Sequence, residues 1–166
     1  MHIPAGKKVY FLSDFHLGVP DHASSLVREK KIVAFLERAK ADAATIFIVG
    51  DLFDFWFEYR KVVPKGFVRI LGKLAELTDS GIPVHFFVGN HDMWMSGYFE
   101  KELNIPVFHD NQEYTFGNKT FLIGHGDGKG PGDLGYKRMK KIFTNPFFKW
   151  LFRWLHPDIG VKLAQY

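Results

Sequence analysis

Five side chains that can bind metal ions follow apolar runs of this chain, each close to the point where a run ends. They are Asp14, His16, Asp51, Asn90 and His125. Carboxylate, imidazole and amide donors without sulfur form a ligand set suited to Mn²⁺, Zn²⁺, Fe²⁺ or Mg²⁺. Any one of these residues, taken alone, is better explained as a turn or helix-cap residue. Four apolar runs in succession, each followed by such a residue, indicate a metal centre.

The elements that must position these side chains alternate along the chain. The apolar runs predict strands at 9–12, 45–49, 84–88 and 120–123. Helical periodicity between the first three runs predicts helices over 24–40 and 67–77. This alternation predicts βαβ units and an α/β fold whose sheet is covered on both faces. Since the carboxyl ends of parallel strands share one edge, the candidate ligands should meet there.

Other parts of the chain give weaker predictions. Gly50, Gly89 and Gly124 precede candidate ligands, where sharp turns are expected. A short helical stretch is expected near 93–103. Two strands should flank the turn at Gly117, and two short helices broken near Asn145-Pro146 should follow residue 136.

Composition sets the class of protein. The chain has 166 residues, of which 46% are hydrophobic and 24% charged, and it has no cysteine. The length suits one globular domain, and the absence of cysteine excludes a disulfide scaffold, a cysteine nucleophile and thiolate zinc sites. No apolar run approaches the roughly 18–20 residues of a membrane span, and the first residues lack the apolar core of a secretory signal. We therefore expect a cytoplasmic protein without a spanning helix.

The charge is unevenly distributed. Of 22 basic and 18 acidic residues, residues 137–166 contain seven basic residues and one acidic residue, whereas residues 1–136 have a net charge of −2. The basic stretch also contains seven aromatic residues. It is either an ordinary solvated helix face or a surface for an anionic, partly apolar partner. Since a nuclease would carry positive charge around its site, no nucleic-acid partner is expected.

The order D-x-H, G-D, G-N-H-D and G-H resembles the calcineurin-like metallophosphoesterases. That resemblance, from Val9 to His125, implies a sandwich of β-sheets flanked by helices and two divalent ions, with Mn²⁺ the first choice. It implies that Asp14, His16 and a bridging Asp51 bind one ion, and that Asp51, Asn90 and His125 bind the other. His91 corresponds to the motif histidine expected near the leaving group or a phosphoryl oxygen.

Within this superfamily the chain is most similar to bacterial UDP-2,3-diacylglucosamine pyrophosphohydrolases of lipid A biosynthesis. Gly50-Asp-Leu-Phe-Asp-Phe-Trp resembles their G-D-L-F-[ED]-x-W, and His125-Gly-Asp with Asp133-x-Gly-Tyr resembles their H-G-D…D-x-G-Y. The resemblance implies substrate contacts by Asn90 and Asp133 and peripheral association with the inner membrane. It also implies a metallophosphoesterase core over residues 1–135. Residues 136–166 would then form the beginning of a helical lid rich in basic and aromatic residues. His91 stands where many members have arginine.

The final G-H-x-H motif of the superfamily does not follow His125. We therefore expect the chain to lack the C-terminal part of such an enzyme, and with it one histidine for each metal ion. On that expectation the 166 residues alone have little hydrolase activity. Two alternative functions stay open: another phosphodiesterase, phosphatase or nuclease of the superfamily, and a catalytically incompetent scaffold.

Three further residues keep two interpretations each. Asp54 and Asp92 could orient metal-binding histidines or cap the helices that follow them. His85, which interrupts an apolar strand, is better explained as a hydrogen-bonded structural histidine than as a ligand.

Overall fold

The computed structural model describes residues 1–127, 140–141 and 143–164. These residues form alternating strands and helices, followed by a hairpin and short helices. The named elements are β1 (Lys8–Leu12), α1 (His22–Ala39), β2 (Ala43–Val49), α2 (Val68–Asp79), β3 (Val84–Phe87), α3 (Tyr98–Glu102), β4 (Val107–Phe108), β5 (Gln112–Phe116), β6 (Lys119–Ile123), α4 (Pro146–Phe152) and α5 (Pro157–Ala164). The two long helices and the strands at 9–12, 45–49, 84–88 and 120–123 are confirmed, and each of their ends agrees within two residues.

The parallel sheet has four strands in the order β1-β2-β3-β4. Phe11 pairs with Phe47, and Ile48 with Phe86, so the strands are in register near their carboxyl ends. The sequence did not predict β4, which is only two residues long. Because the strands are parallel, the loops after β1, β2 and β3 leave the same edge of the sheet, as predicted.

Helices α1 and α2 cover one face of this sheet. Their apolar residues Ile32, Leu36 and Leu74 are almost fully buried in the main core. The carboxylate of Glu29, on α1, accepts hydrogen bonds from two backbone N–H groups at the start of α2, each at 3.0 Å. The buried Glu29 thus satisfies N–H groups that have no partner within their own helix.

The antiparallel hairpin of β5 and β6 covers part of the other face. Ile123 packs there against Phe47 and Phe87 in a second, smaller core. The sheet is therefore covered on both faces, but by helices on one and by a hairpin on the other. Coverage by the hairpin is partial, since Phe11 is 50% and Leu122 64% exposed.

Only the second half of the helical stretch predicted near 93–103 is helical, since α3 begins at Tyr98. The buried carboxylate of Glu58 accepts hydrogen bonds from the Ser96 hydroxyl and the Tyr98 N–H, both at 3.0 Å. Gly97 has a φ of +127°, which breaks a helix. These contacts keep the loop after β3 in a non-helical conformation up to the start of α3.

Residues 143–164 are called here the C-terminal helical segment. The predicted break at Asn145 is confirmed, because its side chain accepts the Phe147 N–H at 2.8 Å and caps α4. Helix α5 was not predicted. No residue of α4 is buried, and Trp154, just after it, is 71% exposed. No helix within the described ranges is long and apolar enough to cross a bilayer.

Candidate metal centre

The backbone adopts a left-handed conformation at three candidate ligands. The φ angles are +58° at Asp14, +44° at His16 and +55° at Asp51. Such backbone costs about 1–3 kcal/mol at a non-glycine residue, so the surroundings must hold it in place. Here the N–H groups of Phe15 and His16 both donate to the Asp51 carbonyl at 2.9 Å. The loops after β1 and β2 therefore hold each other in this strained conformation.

Glycines let the loops approach one another. A Cβ on Gly50 would lie 2.5 Å from Nδ1 of His125, and one on Gly89 would lie 2.0 Å from Oδ1 of Asp51. A Cβ on Gly124 would also meet a side chain at 2.0 Å. Among these three glycines, Gly50 alone has a positive φ, +81°. The expected sharp turn is found at Gly50, whereas the other two glycines are required by close packing.

Asp51 lies at the centre of the candidate ligands and is 3% exposed. Its Oδ2 lies 3.7 Å from Nε2 of His16 and 3.4 Å from Nε2 of His125. Asp14, His16 and Asp51 offer donor atoms within 4.8 Å of one another. On the other side, Nε2 of His125 is 3.3 Å from Oδ1 of Asn90. The structure thus brings all five candidates together around one buried carboxylate.

His125 reaches this centre from the hairpin, not from the parallel sheet. The expectation of four parallel strands at one edge is therefore wrong for β6, which pairs only with β5. Nδ1 of His125 lies 3.0 Å from the Val49 carbonyl. Because a carbonyl only accepts, Nδ1 carries the hydrogen, and the lone pair of the neutral ring is at Nε2. That nitrogen faces Asp51 and Asn90, as a metal ligand must.

Electrostatics couple Asp51 to His125. Burial acts to raise the pKa of Asp51, but hydrogen bonds from the His125 ring and the His91 N–H, the latter at 3.0 Å, lower it overall. The hydrogen bond to Asp51 raises the pKa of His125 to about 9, against the opposing effect of burial. Without a cation, this pair therefore holds a proton at neutral pH. A bound divalent ion would replace that proton between the same atoms.

Asp54 lies between two histidines. Its Oδ1 is 3.6 Å from Nδ1 of His16 and 3.4 Å from Nδ1 of His91. Its backbone carbonyl accepts a hydrogen bond from Nδ1 of His91 at 2.9 Å. The other ring nitrogen of His91, Nε2, takes no part in this hydrogen bond. The three side chains also offer donor atoms within 4.8 Å of one another. Of the two interpretations of Asp54, orientation of a histidine fits this geometry.

Asp92 acts differently from either interpretation that the sequence suggested. Its side chain is fully buried, and its two oxygens accept the Leu52 N–H at 2.9 Å and the Gly89 N–H at 2.7 Å. Burial raises its pKa to about 7, although the hydrogen bond from Gly89 acts in the opposite direction. Asp92 thus ties the loop carrying Asp51 to the loop carrying Asn90.

The donor set fits divalent cations. Carboxylate, imidazole and amide groups converge on a buried acidic centre, and the His125 lone pair is directed into it. His91 lies beside this set with its side chain 38% exposed, where it can reach a bound molecule. Asp133 lies outside the described residues. His85, stacked on Phe47 at 4.8 Å, lies on the hairpin face of the sheet.

Two cavities flank Asp54 and Phe55. One, of about 300 Å³, lies beside His91 and is walled by Met93, Trp94 and aromatic residues of the C-terminal helical segment. The other, of about 780 Å³, extends from Leu17 towards α5 and has both apolar and polar walls. The candidate centre therefore has apolar space on both sides of one loop.

The chain is similar to known proteins both in sequence and in fold. The calcineurin-like phosphoesterase profile matches residues 7–161. The UDP-2,3-diacylglucosamine hydrolase of Porphyromonas gingivalis is 44% identical over 158 residues, which are 95% of this chain and 60% of that protein. The protein of that name from Edwardsiella ictaluri is 29% identical over 154 residues, which are 93% of this chain and 58% of that protein.

The chain thus spans about 60% of the length of these curated relatives. Among solved structures, a protein of unknown function from Aquifex aeolicus superposes with a TM-score of 0.50 at 17% identity. The superposition covers 86% of this chain and 73% of that one. This last likeness concerns the fold alone.

Proposed function

The chain belongs to the calcineurin-like phosphoesterase family, and we propose that it forms the metal-binding part of a UDP-2,3-diacylglucosamine hydrolase. The reaction is cleavage of the pyrophosphate bond, giving UMP and 2,3-diacylglucosamine 1-phosphate (lipid X). The observation that carries the proposal is the convergence of five candidate ligands on the buried Asp51. The 44% identity to the hydrolase of Porphyromonas gingivalis supports the choice of substrate.

Two divalent ions complete this site in the proposal, with Mn²⁺ the first choice. When bound, two such ions lower the pKa of a water molecule and neutralise the phosphoryl oxygens. Asp14, His16 and Asp51 would hold one ion, and Asp51, Asn90 and His125 the other. A shared carboxylate is the natural bridge, and Asp51 is the carboxylate that contacts both histidines.

His91 supplies the acid–base chemistry in this proposal. Its Nδ1 is fixed against the Asp54 carbonyl, so Nε2 is the nitrogen that can hold or release a proton. Protonated there, His91 stabilises the charge that develops on the departing phosphate oxygen. Asn90 would contact substrate as well as metal, and Asp133 is proposed as a further substrate contact.

The apolar walls beside His91 favour an acylated substrate over other phosphoesters. A ligand whose phosphate lies near Asn90 meets the cavity walled by Phe55, Met93 and Trp94. The larger cavity begins on the other side of the same loop. Two acyl chains attached to one sugar would find apolar space on both sides. A nucleic acid or a phosphoprotein has no acyl chains to occupy this apolar space.

We also propose peripheral attachment to the cytoplasmic face of the inner membrane. The C-terminal helical segment exposes Phe147, Trp150 and Trp154 by 62%, 51% and 71% of their surface. Lys149 and Arg153 alternate with these aromatic residues. Amphipathic helices with basic and aromatic side chains lie at the surface of anionic bilayers.

The test of the function is release of UMP from UDP-2,3-diacylglucosamine, with Mn²⁺, by the full-length hydrolase of which we propose that this chain forms part. His91→Ala should lower the rate of release at least 100-fold, since general acid catalysis contributes about 10²–10⁴-fold. The matched control is His109→Ala, a histidine outside the candidate ligands, which should keep the wild-type rate. Faster hydrolysis of DNA or a phosphopeptide than of the lipid precursor would contradict the proposal.

A further inference from the structure

Trp94 connects the C-terminal helical segment to the loop that carries Asn90 and His91. Its indole Nε1–H donates to the backbone carbonyl of Phe143 at 2.7 Å. Its ring lies 5.5 Å from the Phe143 ring and 5.3 Å from the Phe152 ring. One side chain, three residues after His91, thus contacts the segment through both a hydrogen bond and ring packing.

Trp94 is itself fixed to the core from the opposite side. Its ring packs edge-on against Phe55 at 5.8 Å and Phe57 at 5.5 Å, and its backbone pairs with that of Phe57. Phe57 is 2% and Phe55 8% exposed. Because the residues that support it are buried, Trp94 can determine where the helical segment lies instead of following it.

Most other aromatic residues of the segment face solvent. Phe147 and Trp150 contact each other, and Trp150 contacts Trp154. Phe152 is the aromatic residue of α4 that contacts the core, at Phe55, Phe57 and Trp94. Within the described part of the chain, the attachment of α4 therefore centres on Phe152, which packs against Trp94 as well as Phe55 and Phe57.

The same indole forms part of the wall of the cavity beside His91. Phe143 and Phe152, which Trp94 contacts, form another part of that wall. A shift of the segment would therefore change the cavity without moving the candidate ligands around Asp51. The indole N–H adds direction to this contact, since an aromatic ring without a donor could pack at several positions.

We propose that Trp94 is a positioning residue that holds the C-terminal helical segment over the cavity beside His91 and thereby sets the affinity for the acyl part of the ligand. The docking role stands on the contacts of Trp94 alone. The acyl-binding role rests on the proposed function.

Docking is tested by limited trypsin digestion, with cleavage after Lys149 followed by mass spectrometry. Lys149 is half-buried, and burial lowers its pKa, so cleavage there reports release of the segment. Trp94→Phe keeps a ring and removes the donor, which should speed cleavage about 3–10-fold. Trp94→Ala should speed it further. The matched control, Trp154→Ala, removes an exposed indole and should leave the rate unchanged. Equal rates in the Trp94 and Trp154 variants would overturn the docking role.

The acyl-binding role is tested by calorimetry in the presence of Mn²⁺ with two probes, 2,3-diacylglucosamine 1-phosphate and N-acetylglucosamine 1-phosphate. Trp94→Ala should weaken binding of the acylated probe about tenfold and leave binding of the other probe and the metal content unchanged. Equal weakening of both probes would overturn this role. If the wild-type protein binds both probes equally, the proposed function fails, while the digestion experiment still decides the docking role.

Discussion

At the candidate metal centre, Asp51 is 3% exposed and contacts two histidines and two neighbouring loops, whereas Trp154 in the C-terminal helical segment is 71% exposed. In the first region hydrogen bonds join the neighbouring loops, and the backbone is strained at Asp14, His16 and Asp51. In the second, exposed aromatic residues pack mainly on one another. The family's chemistry thus resides in a rigid arrangement, and the part that we assign to the substrate and the membrane is attached by few contacts.

This contrast predicts where substitutions act. At the metal centre, removal of one group leaves other buried polar groups without partners, which is costly. In the helical segment, water can fill the space left when an exposed side chain is removed. Metal binding and stability should therefore respond strongly in the first region, whereas binding of the acylated ligand and of the membrane surface should respond in the second.

The largest effect is expected for Asp51→Ala. Because Asp51 is the shared ligand, its loss from the full-length hydrolase should reduce metal content from two ions per chain to none, as measured by elemental analysis after dialysis against Mn²⁺. Asn90→Ala should chiefly weaken the ion bound with His125. The matched control is Asp42→Ala, which removes a carboxylate at the opposite end of β2 and should keep both ions. Two ions retained in Asp51→Ala would refute the bridging role.

The next effect concerns pH. Because the folded pKa of His125 is raised to about 9, its proton stabilises the metal-free protein fully below the ordinary histidine pKa, and this contribution is lost as pH rises towards 9. A metal ion needs the neutral ring. Affinity for Mn²⁺ should therefore rise up to about tenfold per pH unit between pH 6.5 and 8.5.

Asp51, whose pKa is lowered, stays ionised over this range and does not add to the slope. Calorimetry at several pH values measures the slope, and the number of protons released on binding gives an independent check. The prediction is wrong if the affinity of the site containing His125 does not change between these pH values.

A smaller effect is expected for Asp92→Asn. Both oxygens of Asp92 accept backbone N–H groups, and the amide of asparagine would place a donor against one of them. The unfolding free energy of the metal-free protein should fall by about 1–3 kcal/mol in urea titrations. Asp79→Asn, at an exposed position, should change it by less than about 0.5 kcal/mol. Equal stability of the two variants would show that Asp92 does not tie the loops.

The smallest effect on stability is expected for Trp150→Ala in the helical segment. Because the Trp150 ring is exposed, its removal should leave the unfolding free energy within about 0.5 kcal/mol of wild type. Co-sedimentation with phosphatidylglycerol vesicles should nevertheless fall, and binding by the wild type should decrease with salt. Val68→Ala, which alters an exposed apolar side chain on α2, is the control. Equal binding to neutral and anionic vesicles would count against the membrane surface.

The sequence predicted well which side chains converge at the candidate metal centre, because local rules govern this edge of the sheet. Apolar runs fold as strands, parallel strands end at one edge, and the polar residue after each strand therefore lies there. Asp14, Asp51 and Asn90 were placed by this rule. His125 was also predicted at this edge, but the rule does not explain its position, since β6 belongs to the hairpin and not to the parallel sheet.

Other features depend on contacts between distant residues, which no local pattern shows. Glu58 delays the start of α3, and Asp92 bonds across 40 residues to Leu52. Strand β4 has only two residues and no detectable period. Trp94 gave no signal of its attachment to Phe143, because the two residues are separated by 49 positions and a backbone carbonyl has no sequence signature.

The most direct test of the account is anomalous diffraction at the manganese edge from crystals of the protein grown with Mn²⁺. We expect two peaks about 3.5–4 Å apart, one on each side of Asp51, with the first near His16 and the second near Asn90 and His125. A single peak among His16, Asp54 and His91, with none beside His125, would contradict it, because Asp51 would then bridge nothing.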